Sequence, residues 1–547
     1  MRLRDTALII LVLCLPAPVR ALPAHVWSHR WNDPDDASFY DIAVDPFGNI
    51  VTCGDFFSGL TLDTHYVSAG STDAFVAKFN ASGNVVWSRH LGNPSGDDLY
   101  ALTTDYVGNI IAVGDDSPNN ADMDGVVVKY AVDGTQRFLK HYGVGDGKFQ
   151  TVEAVATDLS KNIFIAGEFD STIDVGNGPL TKTDDDRTMF LAKLDQLGNA
   201  IWSKRFVMTT EEVYYVTRLE TDAEGRAVMF GYFNGSIDFG SGPVVSTGAR
   251  DLFLAEFDPN GNVVWAHAYG GPGNQYPGDM ARNESGKIAI TAFVDAAVNF
   301  GGGLLTPTTP FDPVVAVFNS AGTHQWSRIF NGAGSHFGQG ITWAANEDVL
   351  VSCIGTGTMN MGGSLLTPTG VGYSVFLGRY TGANGNHRWS TVYSSTGGLR
   401  SYVEEDHGKI ILGQSVSGDV NFGGGLLTGT GLGDGDPYLA EFTDVLYTGV
   451  GDTPVRGALA ISSYPNPFNP QTTIRYVVPS RGRVVIAVYD ASGARVATLV
   501  DAEKAAGSYT EAWDGRDDAG RTVSSGVYFA RISHASGSKS EKLVLLK

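Results

Sequence analysis

The sequence predicts an all-β protein: a seven-bladed β-propeller closed by an N-terminal strand and followed by a small Ig-like β-sandwich. The main observation is a Trp, once replaced by Phe, that follows a β-like run at intervals of 51 to 64 residues: Trp27, Trp87, Phe138, Trp202, Trp265, Trp326 and Trp389. Self-similarity at such a period is the signature of a repeat architecture. The 69 glycines, with abundant Val, Ile, Phe and Tyr, indicate many short strands joined by tight turns.

Each repeat unit contains four predicted strands. In the second unit the runs YALTTD from Tyr100, IIAVG from Ile110 and DGVVVKY from Asp124 are the first three, and residues 135–142 are the fourth. Gly, Asn and Asp separate them, which is the signal of antiparallel hairpins. With the second unit, the same order gives seven starts, the others lying at or near Tyr40, Val152, Tyr214, Met280, Gly340 and Tyr402.

A reciprocal defect at the two ends of the array predicts a closed ring. The seventh unit has a third strand, Asp436–Phe442, but no fourth strand with Trp follows it. The segment His25–Trp31 is a spare fourth strand that precedes the first unit. Pairing the two would remove the exposed edges that an open array leaves. A linear β-solenoid is the alternative, and it gives no reason for this defect.

Residues 1–24 are typical of a secretory signal peptide. Arginines precede the apolar stretch Ala7–Val19, and small residues allow cleavage after Ala21 or Ala24. The stretch is shorter than the roughly 20 apolar residues of a membrane-spanning helix. We therefore expect a secreted or outer cell-surface protein with no transmembrane span in the mature chain.

Charge and cysteine content exclude some classes of function. The net charge is −21, made up of −27 on residues 25–455, +4 on residues 456–547 and +2 on the leader. An acidic surface of this kind repels phosphate backbones, so we expect no nucleic-acid partner. Cys53 and Cys353 lie in units that are not neighbours, too far apart for a disulfide, and we expect both to be buried free thiols.

Two recurring residues are expected to serve structure rather than chemistry. The repeated Trp should pack one blade on the next. An Asp opens the third strand in five units, where we expect a turn cap or an inter-blade hydrogen bond, because a ring needs one active site and not five: Asp73, Asp124, Asp251, Asp312 and Asp436.

The repeat also resembles a known family. The stretches YDIAVDPFGNIVTCGDF from Tyr40 and DAFVAKFNASGNVVWSRHLG from Asp73 are similar to the seven-bladed β-propeller repeats of bacterial exported proteins. The resemblance covers residues 25–446 and implies the fold. It implies no particular activity, because propellers host many unrelated functions.

A polar linker at residues 447–456 leads to a second domain at 457–547. Short alternating runs predict a small antiparallel sandwich with strands at Thr473–Val478, Arg483–Tyr489, Arg495–Val500, Ser508–Trp513, Val527–Ile532 and Lys542–Leu546. The motifs YPNPFNPQTTIRY, VYDASGARV, WDGRDDAG, SGVYFARI and KLVLLK resemble the C-terminal sorting domain of type IX secretion cargo. They also resemble the Ig-like domain of the flagellar hook-cap protein FlgD.

The sorting-domain resemblance implies recognition by outer-membrane secretion machinery, then release from the cell or attachment to its surface. A generic Ig-like spacer and a flagellar hook role are the alternatives. The propeller behind a secretory leader argues against the hook role.

The sequence offers no catalytic signature. It contains no G-x-S-x-G, H-E-x-x-H, P-loop or C-x-x-C motif, so no catalytic or cofactor-binding residue is assigned. The recurring FGGGLLT strings from Phe300 and Phe422 are expected to be hairpin turns. Acidic pairs and triplets between second and third strands could suit Ca²⁺, although we expect solvated loop acids and assign no metal ligand: Asp122, Asp124, Asp184, Asp185, Asp186, Asp434 and Asp436.

The function hypothesis is an exported, non-enzymatic binding protein whose long loops contact an extracellular protein or glycan. The loops expected to do so are Phe56–Thr72, Phe169–Arg187, Phe233–Arg250, Val294–Phe311, Ile354–Gly372 and Val416–Asp434. The alternatives are a polysaccharide hydrolase or lyase that uses loop carboxylates, and a structural surface component. An enzyme needs two carboxylates within about 10 Å in a concave central site, whereas a binder needs only a broad surface.

Overall fold

The computed structural model describes residues 22–31, 37–117, 123–182, 188–208, 215–344, 346–398, 400–406, 408–429, 435–444, 459–464, 468–505 and 507–546. Every regular element in these ranges is a β-strand, which confirms the all-β class. Among the same residues, no helix is long and apolar enough to cross a membrane.

Seven four-stranded antiparallel sheets, here called blades 1 to 7, make up the propeller-like part of the chain. Each blade contacts the next through its first strand, and blade 7 contacts blade 1 in the same way. In strand order, blade 1 is Ala37–Val44, Ile50–Thr61, His65–Phe79 and Val85–Leu91; blade 2 is Asp97–Thr104, Ile110–Asp116, Asp124–Tyr130 and Gln136–His141; blade 3 is Gln150–Thr157, Ile163–Phe169, Thr188–Leu194 and Ala200–Arg205; blade 4 is Tyr215–Thr221, Ala227–Phe233, Asp251–Phe257 and Val263–Tyr269; blade 5 is Gln275–Arg282, Ile288–Val294, Asp312–Phe318 and His324–Ile329; blade 6 is His336–Trp343, Asp348–Gly355, Ser374–Thr381 and His387–Tyr393; blade 7 is Tyr402–Asp406, Lys409–Val416, Asp436–Thr443 and Ala24–Arg30.

Blade 7 takes its fourth strand from the N-terminal segment. Ala24–Arg30 runs antiparallel to Asp436–Thr443, in a register that joins His25 to Phe442 and Arg30 to Tyr438. This is the pairing that the spare N-terminal strand predicted. Cys53 and Cys353 are buried and unpaired, also as predicted.

Neighbouring blades are joined by an indole that lies on a glycine. Trp87 of blade 1 covers Gly134 in a turn of blade 2, and its Nε1 donates a hydrogen bond to the Val132 carbonyl at 3.0 Å. A Cβ on Gly134 would lie 2.8 Å from the ring, and its φ of +80° favours glycine independently. Trp202 and Trp326 donate to the next blade in the same way, at 3.0 and 2.9 Å. The Trp side chains therefore pack blade on blade.

The first strand of blades 1 to 6 carries a β-bulge at one shared position. The bulged residues are Tyr40, Tyr100, Glu153, Thr217, Gly278 and Gln339. Bulges redirect the side chains beside them. The residues that follow these bulges include Asp41, Arg218 and Asp279, which meet at the centre of the ring.

The long segments between second and third strands differ from the free loops expected. The described parts fold into small hairpins, among them Val298–Asn299 with Leu304–Leu305 and Val420–Asn421 with Leu426–Leu427. Others are Thr172–Ile173 with Leu180–Thr181, Ser236–Asp238 with Pro243–Val245, and Thr358–Met359, which pairs with Gly332–Ala333; Val207–Met208 joins the second.

The glycine-rich strings are the turns of these hairpins, as predicted. The Asn299 Oδ1 accepts hydrogen bonds from the amides of Gly301 and Gly303 at 2.8 and 3.2 Å. Gly302 lies against the His324 ring on the fourth strand of its own blade. The hairpins therefore fold back on the outer strands.

The C-terminal part forms two sheets around its own core. One contains Ala460–Tyr464, Thr472–Val478 and Gly507–Trp513, and the other contains Arg495–Lys504, Gly482–Asp490, Gly526–His534 and Gly537–Leu545. The core includes the buried side chains of Phe468, Trp513, Ile532 and Leu543. Six of these strands were predicted, and Ala460–Tyr464 is additional.

The closing strand is held by a buried ion pair. The Arg30 Nη2 lies 2.7 Å from the Asp436 Oδ2, and the side chains are only 2% and 4% exposed. The same guanidinium donates to the carbonyls of Val416 and Gly418 at 2.7 and 2.6 Å. Its three partners lie in blade 7 and the segment that follows its second strand.

Replacing Arg30 with Ala should lower the free energy of unfolding by about 3–5 kcal/mol, because Asp436 would stay buried without its cation. Urea denaturation of the mature chain measures this. The control is Lys287→Ala, which breaks a half-exposed pair with Glu347 and should cost about 1 kcal/mol or less. Equal losses in the two variants would contradict a structural role for the closing pair.

Candidate functional site

The acidic residues considered as calcium ligands do not form a metal site in the described part of the chain. Asp436 is committed to Arg30, and Asp124 lies opposite Asp116 in blade 2. Asp122, Asp184, Asp185, Asp186 and Asp434 lie outside the described residues. Within the described ranges, no group of three or more His, Cys, Asp or Glu side chains could hold a metal ion. Calcium binding through the remaining acids stays a prediction.

The Asp that opens the third strand caps the preceding turn in several blades. Asp73 accepts a hydrogen bond from the Ala69 amide at 3.1 Å. Asp251 accepts one from the Thr247 amide, and Asp312 one from the Thr308 amide, both at 2.7 Å. This is the structural role predicted from the recurrence of the residue.

The centre of the ring is closed by an ion-paired triad. Arg218 of blade 4 reaches Asp41 of blade 1 through Nη1 at 2.8 Å and Asp279 of blade 5 through Nε at 2.7 Å. The two carboxylates also accept hydrogen bonds from the amides of Leu102 and Ile341 in the blades that follow. The triad therefore connects five blades at the axis.

Burial and charge determine the protonation of this triad. Burial alone would lower the pKa of Arg218, but Asp279 and Asp41 raise the pKa well above its ordinary value, so the guanidinium stays charged. Burial raises the pKa of Asp41, and Arg218 opposes the shift. A chamber of about 30 Å³ beside the triad is lined by the side chains of Tyr40, Tyr100, Thr217 and Tyr402, among others. It has room for about one water molecule.

Above this floor, six cross-strand pairs ring the central opening, one in each of blades 1 to 6. We call them the mouth layer: Ser38 with Asp55, Asp98 with Asp115, Thr151 with Glu168, Tyr215 with Tyr232, Tyr276 with Phe293, and Phe337 with Ile354. Each pair lies two residues before the bulge of its first strand. The repeat fixes the position of the pair, and the residue types differ from blade to blade.

Blades 1 to 3 contribute an acidic arc to the mouth layer, defined by Asp55, Asp98, Asp115 and Glu168. Asp55 is hydrogen-bonded to Asp98, and Tyr100 bonds to both Asp98 and Asp115. The Thr151 hydroxyl donates to Asp115 at 3.2 Å. Carboxylates this close cannot all ionise at low cost.

Burial is the main cause of the raised pKa values in this arc. It raises the pKa of Asp55 to about 7, with a further contribution from the charge of Asp98. Burial likewise raises the pKa of Asp115 to about 7, and the neighbouring Asp97 has a pKa of about 7 for the same reason. The acidic arc therefore exchanges protons near neutral pH.

Blades 4 to 6 contribute an aromatic arc, defined by Tyr215, Tyr232, Tyr276, Phe293 and Phe337. Tyr276 stacks on Phe293 with ring centroids 4.9 Å apart, and Phe293 meets Phe337 edge to face at 5.0 Å. The Arg250 guanidinium lies between the rings of Tyr232 and Tyr276, 5.4 Å from each centroid. One side of the mouth is thus acidic and the other aromatic.

A separate cavity of about 200 Å³ lies at the outer rim, where blade 5 meets blade 6. Its lining consists of Arg328, Ile329, Phe330, Asn331, Asn360, Met361 and Gly362, and includes no carboxylate. It is smaller than the roughly 300–1,000 Å³ typical of small-molecule sites. This cavity therefore lacks the paired acids that glycoside hydrolysis needs.

Comparison with known proteins identifies the C-terminal domain. Residues 471–538 match the FlgD Ig-like domain. A WD repeat-containing protein of Acanthamoeba polyphaga mimivirus is 24% identical over 345 residues, which are 56% of this chain and 23% of the viral protein. The chain thus spans about a quarter of that relative.

Two solved structures have similar architecture. PorZ, a surface component of the type IX secretion system of Porphyromonas gingivalis, is 13% identical, with a TM-score of 0.28 over 94% of this chain and 70% of PorZ. An α-L-arabinanase of Penicillium chrysogenum is 10% identical, with a TM-score of 0.35 over 78% of this chain and 99% of the enzyme. Likenesses at these values do not extend to function. Fold and comparisons together define an all-β, propeller-like protein with a FlgD Ig-like domain at its C-terminal end.

Replacing Arg218 with Met should lower the free energy of unfolding by about 3–5 kcal/mol, because two buried carboxylates would face each other without a cation. Urea denaturation measures the loss. Adding Asp41→Asn and Asp279→Asn removes the uncompensated charges, so the triple variant should recover most of the stability. A triple variant no more stable than Arg218→Met would contradict this account.

The melting temperature should fall between pH 5 and pH 8 and level off above that range. The folded chain holds protons on Asp55, Asp97 and Asp115 up to about pH 7, whereas unfolded carboxyls release theirs near pH 4. The folded state therefore binds more protons throughout this window, and stability declines as pH rises.

Differential scanning calorimetry of the mature chain measures this decline. Asp98→Asn should make it shallower by removing a charge beside Asp55 and Asp115. Glu224→Gln, an exposed change in a turn of blade 4, should leave it unchanged. A melting temperature that rises from pH 5 to pH 8 would refute the proton-sharing cluster.

Proposed function

We propose that this chain is an exported, non-enzymatic binding protein of the bacterial cell surface. Its binding surface is the mouth layer, which meets an extracellular protein or glycan. Its C-terminal domain directs the chain through outer-membrane secretion machinery. The observation that carries the proposal is the division of the mouth layer into an acidic and an aromatic arc above a floor that Arg218 closes.

The geometry of the mouth favours binding over catalysis. Carboxylates of the acidic arc lie close together, but they contact one another, Tyr100 and Thr151 rather than the walls of a substrate-sized cleft. The chamber below them is about 30 Å³, too small for a sugar ring. Aromatic side chains with few carbons buried in a pocket suit contact with a broad partner surface.

Export rests on two separate parts of the sequence. The first 24 residues have the composition of a secretory leader, and residues 471–538 match the FlgD Ig-like domain. The motifs SGVYFARI and KLVLLK at the end of the chain resemble the type IX sorting domain. A leader for the inner membrane and a sorting domain for the outer membrane together account for both ends of the chain.

A hydrolase or lyase acting on extracellular polysaccharide is the second candidate. The hydrogen-bonded pair of Asp55 and Asp98 favours it, because a carboxyl with a pKa of about 7 can serve as a general acid. Reducing-sugar release from a polysaccharide panel, abolished by Asp55→Asn, would establish this activity and displace the binding role. Glycan-array capture without turnover would support binding.

Removal of residues 457–547 tests the export route. In a host with type IX secretion machinery, the full chain should reach the cell surface or the medium, whereas the truncated chain should stay in the periplasm. Cell fractionation followed by immunoblotting measures the distribution. The two domains have separate cores, so the truncated propeller should remain folded.

The control for this experiment is a chain in which residues 457–547 are replaced by an unrelated Ig-like domain. It should stay in the periplasm like the truncated chain. If either altered chain reached the surface as efficiently as the full one, the C-terminal domain would be a spacer and not a sorting signal.

A further inference from the structure

The acidic and aromatic arcs meet at Tyr215, at the junction of blades 3 and 4. Tyr215 is 37% exposed, stacks on Tyr232 with ring centroids 6.2 Å apart, and interacts electrostatically with Glu153 and Glu168. An accessible aromatic ring beside two carboxylates is the environment that recognises an organic cation.

The molecule already contains one example of this recognition. Arg250 lies between Tyr232 and Tyr276 at 5.4 Å from each ring, within the distance at which a guanidinium and an aromatic face attract. The aromatic arc therefore accepts a planar cation. Arg250 occupies the blade 4 to blade 5 position, and the Tyr215 position next to it has no such internal cation among the described contacts.

A polar side chain of blade 7 stands unsatisfied at the same level of the ring. Gln414 follows Gly413, which pairs with Tyr402 on the first strand, so it corresponds in register to the mouth-layer residues of the other blades. It is only 4% exposed, and its Oε1 has no hydrogen-bond partner among the described residues. At the floor, the Thr217 Oγ1 is also buried without a partner in that part of the chain. Both groups can accept a hydrogen bond from an ammonium or guanidinium group.

The surrounding charge has the matching sign. Residues 25–455 carry a net charge of −27. Of the cations near the mouth, Arg218 is neutralised by Asp41 and Asp279, Arg250 lies within the aromatic arc, and Arg400 is exposed beside Tyr40. The acidic arc therefore attracts a cationic partner and repels an anionic one.

From these contacts we infer that the mouth layer binds a basic protein segment, with a lysine or arginine side chain inserted between Tyr215 and the acidic arc. This inference rests on the proposed function and names the partner chemistry of the same surface. A neutral glycan is the competing ligand, and the experiment separates the two.

Binding of a cation is coupled to release of protons from the acidic arc. Carboxyls that hold protons near pH 7 become better ligands when they lose them, and an inserted cation favours that loss. Affinity therefore rises between pH 6 and pH 8. A site built of uncharged groups would show no such dependence.

The test is isothermal titration calorimetry of the mature full-length chain with hexalysine and with fully acetylated hexalysine at 0.15 M salt. Hexalysine should bind, more tightly at pH 8 than at pH 6, with a buffer-dependent heat that reports proton release. The acetylated peptide should bind at least tenfold more weakly. The double variant Asp98→Asn and Asp115→Asn should weaken hexalysine binding at least tenfold.

The matched control is Glu224→Gln with Glu347→Gln, which removes the same charge from exposed turns at the opposite end of the first strands. It should change affinity less than twofold. Equal weakening by both double variants would show that general surface charge binds the peptide and would overturn the inference. Failure of hexalysine to bind, with an oligosaccharide captured at the mouth instead, would also overturn it and would leave the proposed binding role standing.

Discussion

The fold depends on an indole that lies on a glycine of the next blade. The indole belongs to an outer strand and the glycine to a turn, so each contact joins two sheets that share no backbone hydrogen bonds. Trp27 makes the same contact with Gly83 and also donates to the Ala81 carbonyl at 3.3 Å, although its strand precedes blade 1 in the chain. The closing strand therefore repeats at the ends of the array the contact that holds its interior. A side chain on Gly83 would clash with the ring, which ties this turn to glycine.

Because the outer contacts hold the blades together, the inner strands are free to differ. The bulge recurs in blades 1 to 6, but the residue after it is Asp41 in one blade, Arg218 in another and Asp279 in a third. One cation from blade 4 satisfies two carboxylates from blades 1 and 5. A repeating frame thus produces a single asymmetric centre. The mouth layer follows the same rule, with one register position occupied by acids on one side and by aromatic rings on the other.

The sequence predicted the features that recur and missed those that break the repeat. The Trp spacing, the spare strand at His25–Trp31 and the capping role of Asp73 all follow from comparing one unit with the next, and the structure agrees with each. Arg218 and Asp98 occur once at their repeat positions, so recurrence could not reveal them. The signal available was their departure from the pattern, a charged residue where other units place Ala or Gly. The Tyr276 and Phe293 stack needed strand register, which sequence alone leaves uncertain by a residue or two.

Proton sharing explains why the acidic arc is a poor candidate for a metal site and a good one for an organic cation. Ca²⁺ prefers six to eight oxygen ligands from ionised or carbonyl groups in a roomy shell. Asp55 instead directs its oxygens to Asp98, and Asp115 directs its own to Tyr100 and Thr151, in a packed layer where burial favours the protonated form. An ammonium or guanidinium group needs only one or two of these oxygens at the edge of the layer. The aromatic arc supplies the remaining contacts through ring faces that a hydrated divalent ion cannot use.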